Sequence, residues 1–205
     1  MFGMNKNLNG KNAKMLKNLL KHFLTLLFIK LPVQVAGIPI LAVVLLFVPK
    51  DKEYLPSAFR WWDNNERYTD GNKSDDGLSG PPNIRQRWSN PTGWLARFNW
   101  LALRNPANYF QHQVLGSTAH SHCEILKIKG DMKVGTHNWN TRGFYYQEIL
   151  NGDEKLWELY IVKTIYKKWH FRFRAGWKIG GYFSKRQPGE SLQWVFAITP
   201  LKKLD

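Results

Sequence analysis

The side chains best suited to chemistry lie together near the middle of the chain. His120, His122 and Cys123 fall within four residues, and Glu124, Asp131 and His137 follow. On a strand, His120 and His122 would project from one face with a thiol beside them, a set that could hold a metal ion or run a thiol–imidazole nucleophile. Both chemistries need more than this. The only cysteine is Cys123, and there is no HExxH, no G-x-S-x-G and no glycine loop to cradle phosphate; Gly180-Gly181 reads as a turn. The cluster therefore reads better as ordinary polar residues, with no metal, no cofactor and no small-molecule substrate implied. A metal-dependent or thiol enzyme is the lesser alternative.

Asp70, Asn72, Ser74 and Asp76 place oxygens at alternate positions, as the first half of a calcium loop does. The match then fails: the sixth position is Asp75 instead of glycine and the twelfth is Pro81 instead of glutamate. A solvated acidic turn is the better reading.

A second chemical signal is basic and aromatic. Lys163, Lys167, Lys168, Arg172 and Arg174 are interleaved with Tyr160, Tyr166 and Trp169. Such a surface can lay cations along phosphates while rings stack on bases, or face an acidic protein or anionic lipid. No RNP, zinc-finger or helix-turn-helix signature accompanies it, so an anionic protein or nucleic acid is a partner by charge alone. Arg97 and Arg104, seven apart, read as a solvated basic face.

The elements that would position these groups follow from periodicity. FYYQEIL (144–150), a turn at Asn151-Gly152-Asp153 and LWELYIVKTIY (156–166) form an antiparallel hairpin pattern. In HFRFRA (170–175), Phe171 and Phe173 point one way and His170, Arg172 and Arg174 the other; QWVFAIT (193–199) is a last strand. The expected sheet has five or six antiparallel strands, one face apolar and one basic. WLARFNWLALR (94–104) is a short helix capped by Thr92, with Trp94, Phe98 and Leu101 on one face, ending at Asn105-Pro106.

Ahead of these, LPVQVAGIPILAVVLLFVP (31–49) runs for 19 residues without a charge, long enough to be a membrane-span candidate. Pro32, Gly37 and Pro39 predict a bend or break over residues 31–40, so a re-entrant segment is an alternative to a straight span. Just upstream, Lys14, Lys17 and Lys21 recur at helical spacing beside Leu16, Leu20, Phe23 and Leu27, the pattern of a basic amphipathic helix lying among lipid headgroups. Residues 1–49 carry six lysines and no acid, out of a total of 30 basic and 15 acidic residues in 205. The expected membrane anchor comprises Lys14, Lys17, Lys21, Phe23, Leu27, Leu41, Val44, Leu45 and Phe47, with Trp61 and Trp62 at the interface. A buried helix of a soluble domain is the main competing reading, and a cleaved leader fits poorly.

The fold class is thus α+β. Residues 1–49 form the basic amphipathic and apolar anchor segment, 50–110 a Trp-, Asn-, Gly- and Pro-rich connecting region with a short helix, and 111–205 an antiparallel β domain.

The apolar run 31–49, FRWWDN (59–64), DGLSGPP (76–82), WLARFNWLALRNPANYF (94–110), GWKI (176–179) and WVFAITP (194–200) together resemble an uncharacterised family of small tailed-bacteriophage proteins. The resemblance covers nearly all the chain after residue 22 and carries no assigned activity or site residues. It implies a phage origin and expression in a bacterial host. The combined expectation is a non-enzymatic protein at the host inner membrane, with membrane lipids as one partner and an anionic macromolecule as another. A soluble module for single-stranded nucleic acid is the alternative.

Overall fold

The structure is a computed structural model and describes residues 5–49, 52, 54–64, 93–131, 142–179 and 188–203. His137, the oxygen-rich turn at residues 70–76, Thr92 and Gly180-Gly181 lie outside the described residues.

The architecture is α+β. A helix, α1 (Asn5–Thr25), passes through a π turn (Leu26–Lys30) into α2 (Leu31–Phe47) without leaving helical geometry. The stretch Ala13–Phe47 is long and apolar enough to cross a membrane. The predicted break at residues 31–40 is absent. Thr25 Oγ1 donates back to the Lys21 carbonyl (3.0 Å), and the Leu31 N–H reaches five residues back to Leu26. That widened turn sits directly before Pro32, whose ring needs extra room against the preceding turn. Pro39 lies inside α2 on its exposed side, where no packed neighbour must follow a bend.

Five strands, β2 (Cys123–Gly130), β3 (Gly143–Asn151), β4 (Glu154–Tyr166), β5 (Trp169–Trp177) and β7 (Trp194–Lys203), form an antiparallel sheet in the order β2-β3-β4-β5-β7. Two short strands, β1 (Ser117–Thr118) and β6 (Ser191–Leu192), pair separately. The β3–β4 hairpin closes through Gly152-Asp153, with Gly152 at φ +61°, a conformation that favours glycine. The hairpin registers as its alternation predicts, Tyr145 opposite Tyr160 and Ile149 opposite Leu156.

One helix serves two cores. Along α1, Met15 and Leu19 pack on Tyr146, Trp157, Leu159 and Ala175 of the sheet. Along α2, Leu41, Leu45 and Val48 pack with Leu55, Trp100 and Leu101. The predicted helix at residues 94–104 is present as α3 (Trp94–Phe98) continuing into a π segment (Asn99–Arg104), and Trp94, Phe98 and Leu101 share the packed face as its spacing requires. The 49/50 boundary is therefore a sequence boundary only: residues from both sides fill both cores.

The segment Ser57–Trp62, a 3₁₀ turn, returns along α2. The Trp62 ring lies on Gly37, where a Cβ would collide with its Cδ1, and its Nε1 donates to the Val33 carbonyl at 2.7 Å. Gly37 is thus required by close approach. Asp63, fully buried, pins the segment: Oδ2 accepts from the Leu55 N–H (2.8 Å) and Arg60 Nη1 (2.9 Å), and Oδ1 from the Asn64 N–H (2.8 Å). Burial pushes its carboxyl up to about 6, against the pull of these donors.

A carboxyl raised in the folded state binds its proton more tightly than the unfolded chain does. Its contribution to stability is full below the unfolded value of 3.8 and declines as pH rises through about 6. The urea midpoint of the purified protein should fall across that window, and Asp63→Asn should flatten this dependence. An equally steep profile in the variant would assign it to other groups.

Candidate membrane-facing and anion-facing surfaces

From His22 to Phe47 the long helix turns its polar side chains toward protein and apolar ones outward. Its inward stripe runs through Met15, Leu19, His22, Lys30, Gln34, Gly37, Leu41 and Leu45. Three of these are polar, and each meets protein. His22 is caged by Trp157, Trp177 and Trp194 at ring distances of 4.6, 4.8 and 5.3 Å. The Lys30 ammonium lies 5.4 Å over the Trp194 ring, and Gln34 Nε2 donates to the Pro106 carbonyl at 3.1 Å. The outward apolar residues are Leu16, Leu20, Leu24, Leu27, Phe28, Leu31, Val35, Ile38, Leu46 and Phe47, with Phe28 69%, Leu46 67% and Phe47 79% exposed.

This divides the predicted anchor residues. Lys14, Lys17, Lys21, Phe23, Leu27 and Phe47 are exposed, as is Trp61. Leu41 and Leu45 are not on that surface: at 0% and 1% exposure they are spent on Trp100 and Leu101, and Val44 packs partly against the same core. Trp62 is half-buried, its ring held on Gly37. Hydropathy cannot separate these residues from their outward neighbours, because lipid and protein interior select the same side chains.

The sheet continues the apolar surface. Phe144, Ile161, Phe173 and Ile198 are successive cross-strand partners, forming one row directly beside the row that α1 covers. The ends of this row are open, Phe144 46% and Ile198 58% exposed.

Of the predicted anion-facing set, Lys163, Lys167 and Lys168 are exposed around the β4–β5 turn, beside exposed Tyr166 and Trp169. The two arginines are used internally. Arg174 is buried, donates through Nε to Glu158 and stacks 5.3 Å over the Tyr160 ring. Glu158 itself is fully buried and also accepts the Ile179 N–H at 2.9 Å. Arg172 Nη2 donates to Thr199 Oγ1 at 2.9 Å. The expected all-basic face is therefore an ion-paired, largely buried one, since a carboxylate from the adjacent strand neutralises it.

The reading of Arg97 and Arg104 as a solvated basic face does not fit Arg97. It is buried, and it donates to the carbonyls of Leu45 (3.0 Å), Val48 (3.0 Å) and Pro49 (3.2 Å), closing the carboxyl end of α2 where backbone acceptors lack intrahelical donors. Arg104 is exposed. The polar cluster at residues 120–124 precedes and opens β2. His120 and His122 are exposed; the His120 N–H is held by Asn151 Oδ1 (2.9 Å), and the His122 carbonyl accepts the Gly152 N–H (3.0 Å). Cys123 is half-buried against Ile149 and Ala119, and burial pushes its thiol up, away from thiolate chemistry. Among the described residues no three His, Cys, Asp or Glu side chains are grouped to hold a metal.

Residues 14–205 match a family of unknown function, DUF7338. The chain belongs to that family. No curated protein and no solved structure matches it. The DUF7338 match takes in the long helix together with the sheet, in keeping with a fold in which the two share cores.

Because Arg97 satisfies three carbonyls at once, Arg97→Ala should lower unfolding free energy by about 2–3 kcal/mol. Arg104→Ala, at an exposed site, should change it by less than about 0.5 kcal/mol. Denaturant titration of both variants separates them; equal effects would remove the capping role.

Proposed function

We propose that this DUF7338 protein is a non-enzymatic membrane protein held in the bilayer by the outer face of the helix Ala13–Phe47. It presents the β domain, with Lys163, Lys167 and Lys168 at its exposed hairpin turn, to an anionic partner at the membrane. The observation that carries the reading is the reversed polarity of the helix. His22, Lys30 and Gln34 turn to protein while the leucines, valines and phenylalanines between them turn outward. In water that arrangement would leave a long apolar stripe exposed at a cost of roughly 25 cal/mol per Å² of apolar surface; in lipid it is the favourable one.

Further support comes from the surroundings of the stripe. The row ending in Phe144 and Ile198 extends it onto the sheet, and Lys14, Lys17 and Lys21 flank it where anionic headgroups would lie. The tailed-phage resemblance belongs to the same proposal and makes the membrane the inner membrane of a bacterial host. The soluble nucleic-acid reading is less favoured, because Arg172 and Arg174 already have partners inside the sheet.

Flotation on a lipid gradient tests the anchor. Removing residues 1–49 would uncover the sheet core, so the informative variant keeps the helix and charges its outer face: Leu24→Glu with Phe28→Glu and Val35→Glu. Wild type should float with vesicles and the variant, folded by circular dichroism, should stay at the bottom. Both floating alike, or both staying down as folded protein, would defeat the anchor.

A further inference from the structure

The five-stranded sheet ends in β2. Its inner side pairs with β3, and among the described residues no strand pairs with its outer side. A free edge of this kind is a template for another strand, and proteins usually blunt it. The opposite edge is blunted: β7 carries Pro200, which has no N–H to give. β2 has no proline, and it leaves Ile125 (51%), Leu126 (40%) and Ile128 (42%) exposed.

Which backbone groups are open on that edge follows from β3. The Gly152 N–H donates to the His122 carbonyl at 3.0 Å, and the Phe144 carbonyl accepts the Asp131 N–H at 3.0 Å, so the even-numbered positions along β3 turn toward β2. Backbone groups alternate sides along a strand. Glu124, Lys127 and Lys129, the partners of Leu150, Glu148 and Tyr146, are therefore hydrogen-bonded inward. Ile125 and Ile128, the partners of Ile149 and Gln147, turn their N–H and carbonyl groups outward. Both isoleucines are outward because Leu126 is an extra residue in the ladder, where the register shifts between Ile125 and Lys127.

We propose that the edge of β2 pairs antiparallel with β2 of a second copy of this chain, about a two-fold axis between Leu126 and Lys127. In that register the outward groups of Ile125 in each copy meet those of Ile128 in the other, and Glu124 lies opposite Lys129. An unbulged strand paired with itself about such an axis matches only residues an even number apart; the extra residue at Leu126 is what permits this match. The side chains agree with the backbone. Ile125 and Ile128 share the sheet face of Ile149 and Gln147, whereas Glu124 and Lys129 share the face of Leu150 and Tyr146, so each pair meets on one face. Glu124 and Lys129 are both exposed, and neither is in an ion pair among the described residues. Apolar thus meets apolar and acid meets base when the strand is laid against itself, the self-complementarity that a two-fold interface requires.

Sedimentation velocity of the full chain tests the pairing, in a mild detergent so that the exposed stripe of the helix does not itself associate. Wild type should sediment as a dimer. Glu124→Lys or Lys129→Glu alone sets like charges opposite one another at both ends of the pairing and should weaken association about tenfold, and the two together should restore it. Ile128→Pro removes an outward N–H without touching the ladder to β3, and it should give a monomer with the circular dichroism of wild type. In a Cys123→Ser background, Glu124→Cys with Lys129→Cys should oxidise to a disulfide-linked dimer, because opposed residues of adjacent strands lie within disulfide reach; either cysteine alone should stay uncoupled. A wild type that is monomeric at every concentration overturns the pairing and leaves the edge to an extended segment of another protein. A dimer that is indifferent to the charge reversals and uncoupled in the cysteine pair places the contact elsewhere and overturns it as well. The pairing stands apart from the membrane reading: a monomer that floats with vesicles would keep the anchor and remove the dimer, and a cross-linked dimer that does not float would do the reverse.

Discussion

A single helix in this protein must satisfy two neighbours on one side and a third medium on the other. Met15, Leu19 and His22 are committed to the sheet, and Gly37, Leu41 and Leu45 to the helical segments that return beside α2. Helical spacing then leaves Leu16, Leu20, Leu24, Phe28, Val35 and Leu46 largely exposed. The rest of the arrangement follows from this division. The return segments bring donors to the backbone acceptors of this helix: Trp62, Trp94 and Arg97 donate to the carbonyls of Val33, Ala42 and Leu45. Without such donors the last carbonyls of the helix would be left without partners.

The buried charges obey the same logic. Glu158 and Arg174 neutralise one another inside the sheet, and Asp63 is surrounded by three donors. Lys30 rests over an indole ring, which offers its quadrupole to a cation withdrawn from water. Replacing one member of the Glu158–Arg174 pair would leave the other uncompensated, which is why these residues bear on folding before they bear on any partner. What stays available for a partner is the lysine-bearing β4–β5 turn and the outer edge of β2.

Much of the fold was legible in the sequence because it rests on local patterns. The alternation of Phe171 and Phe173 with arginines, the glycine at residue 152 and the uncharged length of residues 31–49 each have one dominant structural consequence. The site was legible only in part. Leu41 and Leu46 are the same residue type five positions apart, and only the docking of Trp100 and Leu101 decides which one meets protein. Arg174 looks like a free cation until strand register brings Glu158, sixteen positions away, beside it. Arg97 finds its acceptors about fifty positions earlier, and His22 looks like one more polar residue on a basic helix until three tryptophans from three strands close around it. Long-range partners of this kind leave no periodic trace.

The direct test of the central claim is a nitroxide scan of α2 in phospholipid vesicles, reading collisional accessibility to oxygen, which concentrates in hydrocarbon, and to a water-soluble nickel chelate. Labels at Val35, Ile38, Val43 and Leu46 should show high oxygen and low nickel accessibility, while labels at Gly37, Leu41 and Leu45 should be shielded from both, giving a helical period in phase with the outward stripe. High nickel accessibility along the outward positions would contradict the account, because it would place water where the proposed anchor places lipid.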